Sequence, residues 1–287
     1  MTAAHPPVLT ALPALPPAGT TATVVFAVRR SGAADQPPGT QGLPGGGPLR
    51  LLALPGTALA AVVQAVPAAD FTEEALRRRL ADARELETCA RIHHAVVTAA
   101  AAHGPVVPLP LATLFTGDSR AAVALAGQEA RFAAALDRVA GRAEWAVKVH
   151  VTQALASPDT GEGSGPDAGT GAAYLARVRG RERERRSRQD AIGQVTRRVH
   201  ATALSFAAAS VRRPPHGAAV TGRERRQVLN AAYLVDEVRA ADLVAAVREL
   251  AGDRGGLGVH VDVSGPWVPY SFTGEAEADT AGGEPAL

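Results

Sequence analysis

The chain is poor in several residue types, and each shortage excludes something. It has one cysteine among 287 residues. A lone Cys89 rules out an internal disulfide framework and any zinc site built on several thiolates. A reducing cytoplasm is the expected compartment. Lys148 is the single lysine, so arginine carries almost all the positive charge. Aromatics make up 4%, with two Trp, three Tyr and six Phe. No apolar run is long enough to span a bilayer. Met1 to Thr20 has no cationic start, and five prolines interrupt it, so a secretion signal is not expected. There is no G-K-[ST] phosphate loop, no G-x-S-x-G, no H-E-x-x-H and no kinase-type triplet.

What remains is an alanine-rich globular composition. Hydrophobic residues make up 46%, charged residues 20%, and mean hydropathy is +0.02. Alanine is about a fifth of the chain. Net charge is +2, too balanced overall for a nucleic-acid binder, so the placement of charge matters more than its sum.

The pattern along the chain alternates strands and helices. Residues 1–20 read as a disordered Pro/Ala arm. Thr21 to Arg29 is a β-branched strand, 31–48 a loop, and Leu49–Leu54 with Leu59–Val66 two strands around Pro55-Gly56. A 3–4 apolar spacing predicts one helix from Asp70 or Thr72 to Ala102, closed by His103-Gly104-Pro105. Val106–Leu111 is a short strand, and a second helix runs from Asp118 or Ser119 to Gly141. Glu144 to Thr152 alternates cleanly as a strand. After a loop at 156–171, one long helix is expected from Ala172 to Val211. Further expectations are strands near Gly217–Thr221, Arg226–Val235 and Leu257–Val263, and a helix at Ala241–Leu250. These elements predict an α+β fold. Two domains are expected, 21–143 and 144–273, both ferredoxin-like or modified ferredoxin-like, with the long helix in the second. Residues 274–287 read as a disordered acidic tail.

Three features bear on function. Glu85, Cys89 and His93 share one helix face at four-residue spacing, which allows a thiol with a histidine base or plain packing. Arg177 to Arg188 carries seven arginines against two glutamates. That is either a solvated face or a basic docking surface, with Arg181, Arg185 and Arg188 as candidates. No aromatic is interleaved, which argues against a single-strand stacking platform; a third reading, an RNA-binding protein, requires a steep salt dependence of nucleic-acid affinity. Finally, Trp267, Tyr270 and Phe272 fall with Pro266 and Pro269 in one ten-residue block, where the prolines predict an irregular aromatic lid that is either core or interface.

Several blocks resemble those of the gas vesicle accessory proteins of the F/L type. SGPWVPYSF (Ser264–Phe272) is similar to that family's terminal GPWPPYSF signature, LNAAYLVD (Leu229–Asp236) to its LN-x-AYLV block, and GRAEWAVKV (Gly141–Val149) to its G-x-x-EW-x-VK block. GTGAAYL (Gly169–Leu175), ARIHHAVV (Ala90–Val97) and VVPLPLATLF (Val106–Phe115) resemble three more, in order, over about residues 50–273. All five Trp and Tyr residues lie inside these blocks. The chain departs from the pattern at Val268, where a second proline is usual, and in its first strand, which lacks the usual tyrosines. Leu111-Ala112 and neighbours stand where the family's PLRFGT carries Arg, Phe and Gly. The resemblance implies a non-enzymatic assembly factor or minor component of gas vesicles. It implies binding to the shell protein and other accessory proteins, with no cofactor, metal, nucleic acid or membrane, in the cytoplasm and on the vesicle. The alternative is an enzyme or ligand-binding protein on a ferredoxin-like scaffold, with Glu85, Cys89 and His93 as its site.

Overall fold

A computed structural model describes residues 21–32, 39–152, 171–215, 225–252 and 257–274. The chain divides into two compact units between Ala140 and Gly141. The arm at 1–20, the expected strand at 217–221 and all but Gly274 of the acidic tail lie outside the described residues.

In the first unit, β1 (Thr21–Arg30) lies between β3 (Leu59–Pro67) and β4 (Val106–Pro108), and β2 (Leu49–Ala53) flanks β3. All these pairings are antiparallel, and a short β5 (Leu114–Phe115) also pairs with β1. A central strand is covered on both faces, which is why Ala22 to Val28 is an unbroken buried run. Residues Val25, Val63 and Val107 pack with Ala121, Leu125, Phe132 and Leu136 of α3 (Asp118–Ala126) and α4 (Glu129–Val139). Asp118 ties this layer to the sheet. It accepts from Thr23 Oγ1 at 2.7 Å and Arg50 Nη2 at 2.6 Å, and Arg50 holds its carboxyl below the usual range. That contribution is present at neutral pH and is lost as acid protonates the carboxylate.

The long helix expected at 70–102 is two. Asp82 ends α1 (Glu73–Ala81), and its side chain accepts from the N–H groups of Arg84 and Glu85 to cap α2 (Ala83–Ala101). The apolar spacing runs across this break, so periodicity did not reveal it, whereas Asp82 is the cap residue that physics favours. The second expected helix likewise breaks, after Ala126, with the Gly127 N–H closing α3.

In the second unit, the elements run β6 (Arg142–Thr152), α5 (Gly171–Phe206), β7 (Ala207–Arg212), β8 (Arg225–Asp236), α6 (Ala240–Gly252) and β9 (Val259–Trp267). The sheet order is β7-β8-β6-β9, antiparallel throughout. Counted within each unit, both four-strand paths have the order second, third, first, fourth. The expected helix to Val211 stops at Phe206. Alanine-rich 207–212 favours a helix locally, yet it pairs with β8, so sheet formation overrides propensity here. Val147, Val149, Leu229, Ala231, Tyr233 and Val259 face Ile192, Val195, Val199, Leu243 and Val247 from the two helices.

Ala112 sits at φ 64° in the turn before β5. An L-residue with a Cβ pays about 1 kcal/mol in this region and glycine does not. Ala112 therefore holds a backbone conformation that glycine adopts without this strain. Ala112→Gly is expected to stabilise the first unit by about 0.5–1 kcal/mol, the glycine gaining less than the full strain because its unfolded chain is freer. The first unit holds no Trp or Tyr, so the gain is read as a rise in the helix melting temperature by circular dichroism without a shift in tryptophan fluorescence.

Candidate functional site

The aromatic block is not one surface. Pairing of β9 with β6 continues past a register shift to Glu144↔Trp267, so the strand runs through Pro266 on the sheet edge instead of breaking into an irregular lid. A single 3-10 turn, Tyr270–Phe272, follows. Phe272 is 3% exposed and is core, whereas Trp267 is 47% and Tyr270 37% exposed. Partial burial still pushes the Tyr270 hydroxyl up to about 12.

Two neighbouring side chains of β6 hold this block. Alternation along the strand sends them to opposite faces. The Glu144 carboxylate, 6% exposed, accepts from the Ser271 N–H at 2.9 Å, from Ser271 Oγ at 2.7 Å and from Arg213 Nη2 at 3.4 Å. Arg213 also donates to Ser271 Oγ. On the other face Trp145 packs against the core beside Gly265. A Cβ on Gly265 would lie 2.8 Å from Trp145 Cδ2 and 2.9 Å from the Glu144 carbonyl oxygen. Sequence reasoning singled out Trp267, Tyr270 and Phe272 and missed Glu144, Gly265 and Ser271. The available signal was that Glu144-Trp145 and Gly265…Ser271 belong to two blocks of the same family pattern.

The arginine run lies on the first half of α5. Every residue from 178 to 187 is exposed. At 1.5 Å per residue the 36-residue helix is about 54 Å long, and burial begins only near Arg188 and Ile192. Five arginines against two glutamates leave 178–187 at net +3. Arg181, Arg185 and Arg188 follow one face at the i, i+4, i+7 spacing, and Arg179, Arg183 and Arg186 follow another. Glu182 pairs with Arg186 at 2.8 Å. Arg188 differs from its expected role, since its guanidinium reaches the Thr152 and Leu257 carbonyls at 3.4 Å each and so fixes the helix to the sheet. Arg181 and Arg185 remain on the outer surface.

In the first unit the glycine-rich loop encloses Gln64. This buried amide accepts from the Leu43 N–H at 2.8 Å and donates to the Leu43 and Gly47 carbonyls at 3.0 and 2.9 Å. A Cβ on Gly42 or Gly46 would overlap that amide. The depression of about 690 Å³ along this loop is thus a scaffold whose central polar side chain is already satisfied. Cys89 and His93 line a cavity of about 30 Å³ with Val24, Phe26, Phe71 and Ala112. Glu85 lies outside it, in an adjoining groove that Cys89 also lines. Among the described residues no group of three or more His, Cys, Asp or Glu could hold a metal, and no helix is long and apolar enough to cross a membrane.

Residues 22–274 match the model of the gas vesicle synthesis protein GvpL/GvpF family. Gas vesicle protein L of Streptomyces sp. (strain CB03234) is 38% identical over 256 residues, covering 89% of this chain and 94% of that protein. The chain belongs to the GvpL/GvpF family. Two crystal structures of GvpF share its fold. The one from Anabaena sp. PCC7120 matches with a TM-score of 0.61 at 13% identity over 90% of this chain and 98% of that one. The one from Microcystis aeruginosa matches with 0.59 at 14%, over 89% and 100%.

The GvpL/GvpF blocks of the second unit interlock in space. Arg142 pairs with Asp236 at 2.7 Å, and Trp145 lies opposite Tyr233 across the sheet. The Tyr233 hydroxyl meets His200 Nδ1 at 2.6 Å, and burial raises its pKa. Asn230 donates to the Pro214 carbonyl at 3.1 Å, beside the Arg213 that reaches Glu144. The blocks that make the GvpL/GvpF family legible are thus largely those that close its second sheet.

Proposed function

We propose that this chain is a non-enzymatic gas vesicle assembly factor that binds the shell protein and other accessory proteins, in the cytoplasm and at the growing vesicle. Membership of the GvpL/GvpF family supports the gas vesicle role. The observation that carries the binding role is the exposed arginine stretch of α5. Residues 178–187 of this helix are exposed on every side and carry net +3, which suits an acidic partner surface. Arg181 and Arg185 form one docking surface, and Trp267 with Tyr270 a second, with Phe272 holding the latter in place from beneath. The two sheets, in this reading, are ferredoxin-like units. The second is a split β-α-β arrangement with α5 and α6 as its crossovers, and in the first no helix lies between the first two strands among the described residues.

The test is co-purification from cells expressing the whole gas vesicle gene cluster. The double substitution Arg181→Glu, Arg185→Glu is expected to cut capture of shell or accessory protein about tenfold at low salt, with the difference from wild type shrinking as salt is raised. Capture equal to wild type at all salt concentrations removes the arginine surface. Capture of none of the cluster's proteins by the wild type removes the binding role itself.

A further inference from the structure

The second sheet has an edge at β9, which among the described strands pairs with β6 alone. The Thr152 N–H donates to the Gly258 carbonyl at 2.8 Å, which makes Thr152 and Gly258 a hydrogen-bonded pair. Bonded and non-bonded pairs alternate along an antiparallel ladder. His260, Asp262 and Ser264 therefore turn their backbone groups inward, to His150, Lys148 and Ala146. The far side of β6 agrees. The Glu237 N–H donates to the Gly141 carbonyl at 3.0 Å, which commits Val147 and Val149 to β8. Val259, Val261 and Val263 thus turn their N–H and C=O groups to the outer edge. Such an edge is a template for another strand.

The side chains of this edge are complementary to themselves. The run is Val259-His260-Val261-Asp262-Val263. The valines lie on the helix face, Val259 buried and the other two half-buried against the core, while His260 and Asp262 are exposed on the opposite face. Charges of one sign on an edge strand repel a second copy. Here an imidazole and a carboxylate flank Val261. An antiparallel copy centred on Val261 sets each imidazole opposite a carboxylate and each valine opposite a valine. The imidazole–carboxylate pairs would be of the non-bonded type, whose Cα atoms stand about 4.5 Å apart and whose side chains meet most closely. Within its own chain Asp262 lies 3.1 Å from His150 Nδ1, yet its side chain is 62% exposed and has room for a second donor. Sliding the copy by two residues would set His260 on His260 or Asp262 on Asp262. Sliding it by one would set valine against a polar side chain.

We propose that β9 is a homodimerisation edge. Two copies pair antiparallel about a two-fold axis at Val261, joining two four-stranded sheets into one of eight strands. Val259, Val261 and Val263 exchange backbone hydrogen bonds with Val263, Val261 and Val259 of the second copy, an isologous contact. The arginine stretch of α5 takes no part, so the two surfaces are tested separately.

Sedimentation velocity of the full chain from about 1 to about 500 μM is expected to show a monomer–dimer equilibrium, since an interface this small belongs at the weak end of the range. His260→Asp, at an exposed position, sets carboxylate against carboxylate twice and is expected to weaken the dimer about tenfold. Adding Asp262→His restores opposite partners in reversed order and is expected to bring affinity back to within about threefold of wild type. Val261→Pro removes an N–H that faces the outer edge and not β6, and is expected to stay monomeric throughout. Urea unfolding followed by tryptophan fluorescence shows which variants are folded. Should Val261→Pro fail to fold, the single and double exchanges still decide. The proposal is overturned if the wild type is monomeric at every concentration, if a folded Val261→Pro dimerises like wild type, or if the double exchange does no better than His260→Asp alone. A monomeric wild type whose folded Val261→Pro variant loses capture of gas vesicle proteins would give the edge to another protein's strand, which also overturns self-pairing.

Discussion

Glu144→Ala is expected to remove about 3 kcal/mol from the second unit and to release the segment after Trp267. The carboxylate is buried and receives two short hydrogen bonds from Ser271 and a longer one from Arg213. Bonds to a charged group are worth about 1.5–3 kcal/mol each, and the alanine variant leaves the Ser271 N–H without its acceptor. The loss is below the sum because Arg213 keeps its bond to Ser271 Oγ. Glu144→Gln keeps one acceptor oxygen of the same shape and should lose about half as much. Both tryptophans lie in the second unit, so urea unfolding followed by tryptophan fluorescence reports this unit alone. A midpoint unchanged in Glu144→Ala would mean that the segment is held by its apolar contacts, Phe272 foremost.

This separates support from surface. A variant at Glu144 that lost partner capture would say nothing about docking, since it disturbs the turn that carries Tyr270. Trp267→Ala and Tyr270→Ala are the informative changes, because these side chains are substantially exposed. The fair comparison is therefore between exposed substitutions that leave the unfolding midpoint in place.

The α+β class and the element order of the second unit were legible because alternation in β6 and the 3–4 spacing in α5 and α6 are strong local patterns. Failures came where local and tertiary preferences conflict. Ala207 to Arg212 has helical composition and becomes an edge strand only because β8 offers it hydrogen bonds. The breaks at Asp82 and Gly127 leave the apolar spacing intact, so a periodicity count passes over them. For the candidate sites, the sequence pointed to the right segments and blurred the roles within them. Arg188 looks like its neighbours in the charge run, and only the nearness of the Thr152 and Leu257 carbonyls sets it apart. Glu144 has no distinguishing local signal, because its partner, Ser271, is 127 residues away in sequence.

Gly265→Ala is expected to be the most damaging small substitution in the second unit, at about 3–5 kcal/mol. Two independent costs combine. The backbone at φ 153° is one that side chains rarely adopt, a penalty of about 1–3 kcal/mol. The new methyl would also lie within 3 Å of both the Trp145 ring and the Glu144 carbonyl oxygen. Neither neighbour yields freely, since Trp145 packs on the core and the carbonyl belongs to a paired strand. The two costs can be resolved with a second substitution. Trp145→Ala alone opens space and is itself destabilising by about 3–5 kcal/mol. In the Trp145→Ala background, Gly265→Ala should cost about 1–2 kcal/mol less than in the wild type, because the ring clash is gone while the backbone and carbonyl terms remain. Trp267 still reports unfolding in both backgrounds. An equal cost in the two backgrounds would assign the glycine to backbone conformation and the Glu144 carbonyl, with no part for the ring. A reduced cost makes the opening Gly of the GPW signature and the Trp of the EW block one packing unit. On that result, the Gly265–Trp145 contact and the Glu144–Ser271 bonds anchor the signature from opposite faces of one strand, and Trp267 and Tyr270 are left as its outward-facing residues.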